Sequence, residues 1–157
     1  IMPAEYTLND NEHQVHNADS NKLIKSLEGD ILYLDPPYNA RQYGSNYHLL
    51  NTIALYDHFE PQGKTGLRSY QKSRYCSKLS VKKVFEDLIK DAKFKHIFLS
   101  YNNEGLMSVN EIRRIMSKYG KYELATTQYQ RFRADKEENR NHKANETEEY
   151  LHILEKE

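Results

Sequence analysis

The apolar run Ile31-Leu32-Tyr33-Leu34 passes without a break into Asp35-Pro36-Pro37-Tyr38, and no other stretch limits the fold as tightly. A short apolar run bounded by turn formers predicts a strand of the kind that a parallel sheet covers on both faces. Two successive prolines can neither donate to a strand ladder nor continue a helix, so the strand must end at Asp35. The chain thereby delivers a carboxylate to the tip of a strand and holds it on a stiff turn.

The rest of the chain alternates between helical and strand periods. Ser20 to Leu27 predicts a short helix, with Ser20 as N-cap, Leu23, Ile24 and Leu27 on one face, and Gly29 as its end. Leu49, Leu50, Ile53, Ala54 and Tyr56 predict an amphipathic helix over Asn46 to Tyr56. After a basic loop from Glu60 to Lys78, Ser80 caps a helix through about Lys90, with Val81, Val84, Phe85, Leu88 and Ile89 as its buried stripe. His96 to Ser100 predicts a second buried strand. Ser108 and Glu111 have capping-box spacing, and Ile112, Ile115 and Met116 face inward until Gly120 stops that helix. Tyr122 to Phe132 and Glu149 to Leu154 read as strands around a long exposed loop, Arg133 to Thr147, while Ile1 to His16 is polar and irregular. This order implies one α/β unit whose sheet is parallel at first and ends in an antiparallel hairpin.

Composition removes several classes. A single cysteine, Cys76, excludes a disulfide framework and a cysteine-based zinc cluster, and points to a reducing, cytoplasmic setting. The histidines show no helical ligand pair, so no metal is expected. No apolar run reaches the roughly 18 residues that a membrane span needs. Gly63-Lys64-Thr65 resembles part of a phosphate-binding loop but lacks the preceding glycine, since position 58 is His58. The formal net charge is +0, yet from Pro61 to Lys83 the charged residues are Lys64, Arg68, Lys72, Arg74, Lys78, Lys82 and Lys83, with no acid among them. Tyr70 and Tyr75 lie within that stretch, so it reads either as a solvated loop or as a nucleic-acid surface.

Ligands of open α/β sheets bind beyond the carboxyl ends of the strands, where Asp35 falls. Pro36 and Pro37 offer carbonyls and no N–H, and Asp35 adds an anionic acceptor, so the turn is a cradle made only of acceptors. Such a cradle suits a planar NH₂ group. Two hydrogen bonds to its protons draw the nitrogen lone pair out of conjugation, and the ring of Tyr38 can stack on the attached heterocycle.

With "DPPY" at 35–38, its continuation "NARQYGSNYHLLNTIA", "FLSYNNEGL" at 98–106, and "YQRFRA" followed by "ETEEYLHIL", the sequence resembles the D12-type (Dam-like) adenine-N6 DNA methyltransferases of restriction–modification systems. It is similar to the methylases that accompany FokI-type endonucleases. The resemblance implies a partial Rossmann-like, S-adenosylmethionine-dependent methyltransferase sheet with flanking helices, acting on double-stranded DNA beside a cognate restriction endonuclease. It implies that Asp35 and the Pro36 carbonyl hold the target amine, with Pro37 fixing the turn and Tyr38 stacking on the flipped adenine. Asp19 aligns with an acidic residue near the cofactor adenine, an N-cap role being the alternative, and Asp35 also lies near the cofactor. Asn39, Arg41, Tyr43, Asn46, Tyr47 and His48 would line the base pocket or touch phosphates, and Lys64, Arg68, Lys72 and Arg74 would meet the DNA backbone.

The resemblance also implies a glycine-rich cofactor motif upstream of the catalytic turn, and none of Gly29, Gly44, Gly63, Gly66, Gly105 or Gly120 reads as one. The expectation is therefore a single partial catalytic domain over residues 1–157, with 1–16 irregular and 17–157 carrying the catalytic-motif half, inactive alone. An apolar strand edge left open by a half-sheet would favour a homo-oligomer. Methylation of cytosine N4 or of an RNA base, or a non-catalytic nucleic-acid-binding or complementing role, are the alternatives.

Overall fold

The computed structural model describes residues 11–130 and 146–156. Strands β1 (Glu28–Leu34), β2 (Lys93–Asn102), β3 (Gly120–Gln130) and β4 (Glu146–Lys156) form one sheet in the order β1-β2-β4-β3. β1 and β2 are parallel, with Leu34 opposite Leu99, and β4 runs antiparallel to both β2 and β3. The expected α/β class, parallel start and antiparallel hairpin are all present. The hairpin's second strand lies inside the sheet, between β2 and its own partner. Of the expected loop from Arg133 to Thr147, residues 133–145 fall outside the described residues and Glu146 and Thr147 belong to β4, which starts before the expected Glu149; the end of the strand at Phe132 and the first ten residues of the N-terminal segment also fall outside.

Two helices, α4 (Val81–Asp91) and α5 (Val109–Met116), bury the stripes their periodicity predicts. Val81, Val84, Phe85, Leu88 and Ile89 of α4 and Ile112, Ile115 and Met116 of α5 join Ile97, Leu99, Tyr101 and Leu154 of the sheet in one core. Each such side chain contributes about 1.5–3 kcal/mol when fully buried. α5 starts with the full capping box, Ser108 accepting from the Glu111 N–H and Glu111 from the Ser108 N–H. At the far end of the sheet Lys156 Nζ donates to the carbonyls of Ile89, Lys90 and Ala92, closing the C-terminus of α4 with a cation.

Several local expectations change. Asp19, not Ser20, caps α1 (Ser20–Leu23), accepting from the Lys22 N–H. A 3₁₀ turn at Ile24–Ser26 ends that helix, and Gly29 lies inside β1. Ser80 precedes α4 but its hydroxyl donates to the Arg74 carbonyl instead of capping. Gly120 does not stop α5, which ends at Met116; it opens β3 at φ +152, where a Cβ would lie 2.1 Å from the Glu155 oxygen. The helix expected over Asn46 to Tyr56 is two pieces, α2 (Tyr43–Asn46) and α3 (His48–Leu55), and α3 buries none of its residues.

The largest change concerns β1. Its apolar run predicts cover on both faces, but only Leu32 and Leu34 pack on the core, while Ile31 and Tyr33 are 64% and 61% exposed. An unbroken apolar run carries no record of which elements cover it, and both α4 and α5 lie on the same side. Among the described residues β1 pairs only with β2.

Among the described residues one histidine lies in the core. His152 is fully buried, its Nδ1 shares a 2.7 Å hydrogen bond with the Tyr122 hydroxyl, and its Nε2 has no partner among the described residues. Burial, with the nearby Arg113 charge, pulls its pKa down to about 4. Between the ordinary value near 6.5 and about 4, the unfolded chain takes up a proton that the folded chain refuses, so stability falls as pH drops through that window. The expected loss is on the order of 3 kcal/mol in total. Denaturant titrations at stepped pH should show it, and His152→Gln should flatten the curve; parallel curves for the two proteins would assign the loss to other groups.

Candidate active site

The parallel register sets the Asp35 turn beside the end of β2, because Leu34 and Leu99 are opposite and β2 continues to Asn102. Asp35 is exposed, while Pro36, Pro37 and Tyr38 are half-buried. From the connection between β2 and α5, Leu106 N–H donates to the Tyr38 carbonyl at 2.9 Å. The Tyr38 ring meets Tyr101 edge-to-face, with centroids 6.3 Å apart and planes at 82°. Behind the turn lies a cavity of about 280 Å³ whose lining includes Ser20, Asp35, Pro36, Tyr75, Phe85 and Leu88.

The polar collar after the turn is fastened to the basic loop. The Gln42 side chain accepts from Ser73 N–H at 2.8 Å and donates to the Ser73 carbonyl at 3.3 Å, as a neighbouring strand would. Cys76 Sγ donates to the Arg41 carbonyl at 3.2 Å. Gly44 admits the ring of Tyr70 so closely that a Cβ there would lie 2.6 Å from it. Asn39 Oδ1 accepts from Arg41 N–H at 2.9 Å, which turns the chain and leaves the Arg41 residue exposed. Tyr43 and Tyr47 meet edge-to-face at 5.6 Å, and each is 51% exposed. Burial raises the Tyr43 pKa, with Tyr38 and Asp35 adding to the shift. Asn46 is exposed, and His48 is half-buried with an Nδ1 that has no partner among the described residues. Sequence reasoning does not single out Gln42, Ser73, Tyr101 or Leu106 as site residues, and it offers Tyr70 only as part of the basic stretch. Their roles depend on contacts between segments distant along the chain, which no local spacing reports.

The basic stretch carries less free charge than its sequence suggests. Arg68 is only 11% exposed at its side chain, pairs with Asp57 at 2.7 Å and lies 4.2 Å over the Phe59 ring. Arg74 faces Asp19 at 3.7 Å, and Lys82 and Lys83 pair with Glu111 and Asp87. Lys64 and Lys72 are exposed. Tyr75, one of the two aromatics that suggested a nucleic-acid surface, is 8% exposed in the core and donates to Asn21 Oδ1 at 2.9 Å. Burial pushes its pKa up to about 12.

Residues 4–115 match the family of D12 class N6 adenine-specific DNA methyltransferases. The chain belongs to that family. It is 68% identical over 156 residues to the Type II methyltransferase M.NlaIII of Neisseria lactamica, a match that covers 99% of this chain and 47% of that protein. It is 46% identical to the Type II methyltransferase M.FokI of Planomicrobium okeanokoites over 92% of this chain and 22% of that one. M.CviAII of Paramecium bursaria Chlorella virus 1 is 36% identical, over 90% and 41%. The chain thus spans about half the length, or less, of these curated relatives. No solved structure gives a significant match.

Near the turn, Asp35 and Asp19 are the carboxylates that could face a cationic cofactor. Asp35 and Ser20 line the same largely apolar cavity, and the Asp19 carboxylate stands next to Ser20 at the start of α1. Asp19 is committed to its cap and to Arg74, and a second cleft beside it is lined by Asn17, Ala18, Gln71 and Lys72. No helix among the described residues is long and apolar enough to cross a membrane.

Proposed function

We propose that the protein carrying this chain is a site-specific DNA methyltransferase that modifies adenine at N6, working in a restriction–modification system alongside a cognate endonuclease. The observation that carries the reading is the Asp35 to Tyr38 turn at the tip of β1, exposed at its carboxylate and fixed at its tyrosine. Asp35 and the Pro36 carbonyl accept the two protons of the amine, and Tyr38 stacks on the adenine after it leaves the duplex. S-adenosylmethionine would supply a methyl group on a sulfonium, with Asp35 lining the cavity behind the turn and Asp19 assigned to the neighbourhood of the cofactor adenine. Catalysis then rests on placing the amine and on freeing its lone pair. The sheet is one part of a Rossmann-like methyltransferase sheet in this reading. The six glycines of residues 1–157 lie in β1, α2, two loops and the start of β3, and none forms a cofactor cradle, so this stretch by itself has an incomplete donor site and is inactive alone.

In the full-length protein, Asp35→Ala should abolish transfer of labelled methyl to duplex DNA while leaving the fold's melting temperature nearly unchanged. Digestion to nucleosides should yield N6-methyladenine from the unaltered enzyme. N4-methylcytosine, or transfer to RNA alone, would replace this reading, and turnover by residues 1–157 in isolation would overturn the incomplete donor site.

Arg41, Tyr43, Asn46, Tyr47 and His48 form the collar we assign to the flipped base and its flanking phosphates, with Asn39 shaping the turn that presents them. Lys64 and Lys72, with Arg74, are the phosphate contacts, and Arg68 orders the loop through Asp57. Changing Lys64 and Lys72 to Gln should weaken binding to target and random duplex equally and reduce the salt slope by about 0.9 per lysine. A loss confined to the target duplex would mean that the loop reads bases.

The bare Ile31 and Tyr33 and the outer edge of β1 support self-association of residues 1–157 when they stand alone. Sedimentation should show a dimer or larger; a stable, folded monomer would refute it.

A further inference from the structure

We infer that Tyr101, seated by Gly105, is a positioning residue that sets the plane of Tyr38 against the target base. This rests on the reading of Tyr38 as the stacking ring. Tyr101 is 1% exposed, belongs to the core, and presents its ring edge-to-face to Tyr38. Two contacts fix the hydroxyl end of its ring. The Met107 N–H donates to its hydroxyl at 3.3 Å, and Gly105 approaches the ring so closely that a Cβ at that position would stand 2.1 Å from Cε1. Between these two contacts, Leu106 N–H holds the Tyr38 carbonyl. One short connection, Gly105 to Met107, therefore grips Tyr38 by its backbone and grips the ring that Tyr38 leans on. A half-buried aromatic with a free face can stack on a base only if its other contacts forbid it to rotate, and Tyr101 is the buried wall that does so.

The test uses the full-length enzyme and a duplex in which 2-aminopurine replaces the adenine that the enzyme methylates, so that stacking on Tyr38 is read as quenching. Tyr101→Leu and Gly105→Ala should each lower kcat by about 10²-fold, the cost of a displaced reacting group, with little change in KM for the methyl donor. The 2-aminopurine signal should rise because the base is extruded but unstacked. Tyr101→Phe keeps the ring and should restore most of the loss. A double-mutant cycle separates positioning from a general loss of stability: once Tyr38 is Ala, Tyr101→Leu should cost nothing more. Additive losses in that cycle, or unchanged quenching in Tyr101→Leu, would overturn the inference. If Tyr38→Ala itself leaves quenching unchanged, it is the stacking role of Tyr38 that fails.

Discussion

A turn made of two prolines can be held only through its carbonyls and side chains, because it has no N–H to give. The donor that anchors it must come from another element. Here it is Leu106, on the connection that leaves the neighbouring strand, and its bond to the Tyr38 carbonyl is the one on which the candidate site depends. The parallel pairing of β1 with β2 makes this possible. With Leu34 opposite Leu99, both strands leave the sheet at the same end, and the two connections meet there. An antiparallel pairing would have carried the donor to the far end of the sheet.

The same register explains why the core lies on one side. Side chains alternate along β1 and β2, so Leu32, Leu34, Ile97, Leu99 and Tyr101 all face α4 and α5. Tyr101 is thus both the last core residue of its strand and the wall behind Tyr38, and the rigidity of the packed core extends directly into the turn. Lys156 serves the opposite end, closing α4 against the sheet. The cost of one-sided packing falls on Ile31 and Tyr33, which stay more than half exposed. The large apolar residues Leu49, Leu50, Ile53 and Leu55 of α3 are exposed in the same way.

Much of this was legible in the sequence, for identifiable reasons. The stripes of α4 and α5, the Ser108 capping box and the end of β1 at Leu34, just before Asp35, are all set by residues close together in the chain, and each is where the pattern puts it. What was not legible depends on distant partners. Ser20 and Asp19 are both good caps, and only the geometry of α1 chooses Asp19. Tyr75 reads as part of a nucleic-acid surface because it sits among basic residues, yet its hydroxyl finds Asn21 and its ring finds the core. The run Ile31 to Leu34 shows that a strand is apolar and says nothing about what lies on each face.

The basic loop illustrates how far charge alone can be trusted. From Pro61 to Lys83 the sequence counts only cations, but Asp57, Asp19, Asp87 and Glu111 come from outside that stretch to pair with four of them. Exposed pairs of this kind are individually worth little, typically under about 1 kcal/mol, so Arg74, Lys82 and Lys83 could exchange their partners for phosphate at small cost. Arg68 is different. Its guanidinium is packed on Phe59 and largely buried, so releasing it would expose an aromatic face as well as a carboxylate. The loop therefore divides into one arginine that builds it and several cations free to act from it. Because Gln42 and Gly44 fasten this loop to the collar, anything that moves those cations also pulls on the segment that follows Tyr38.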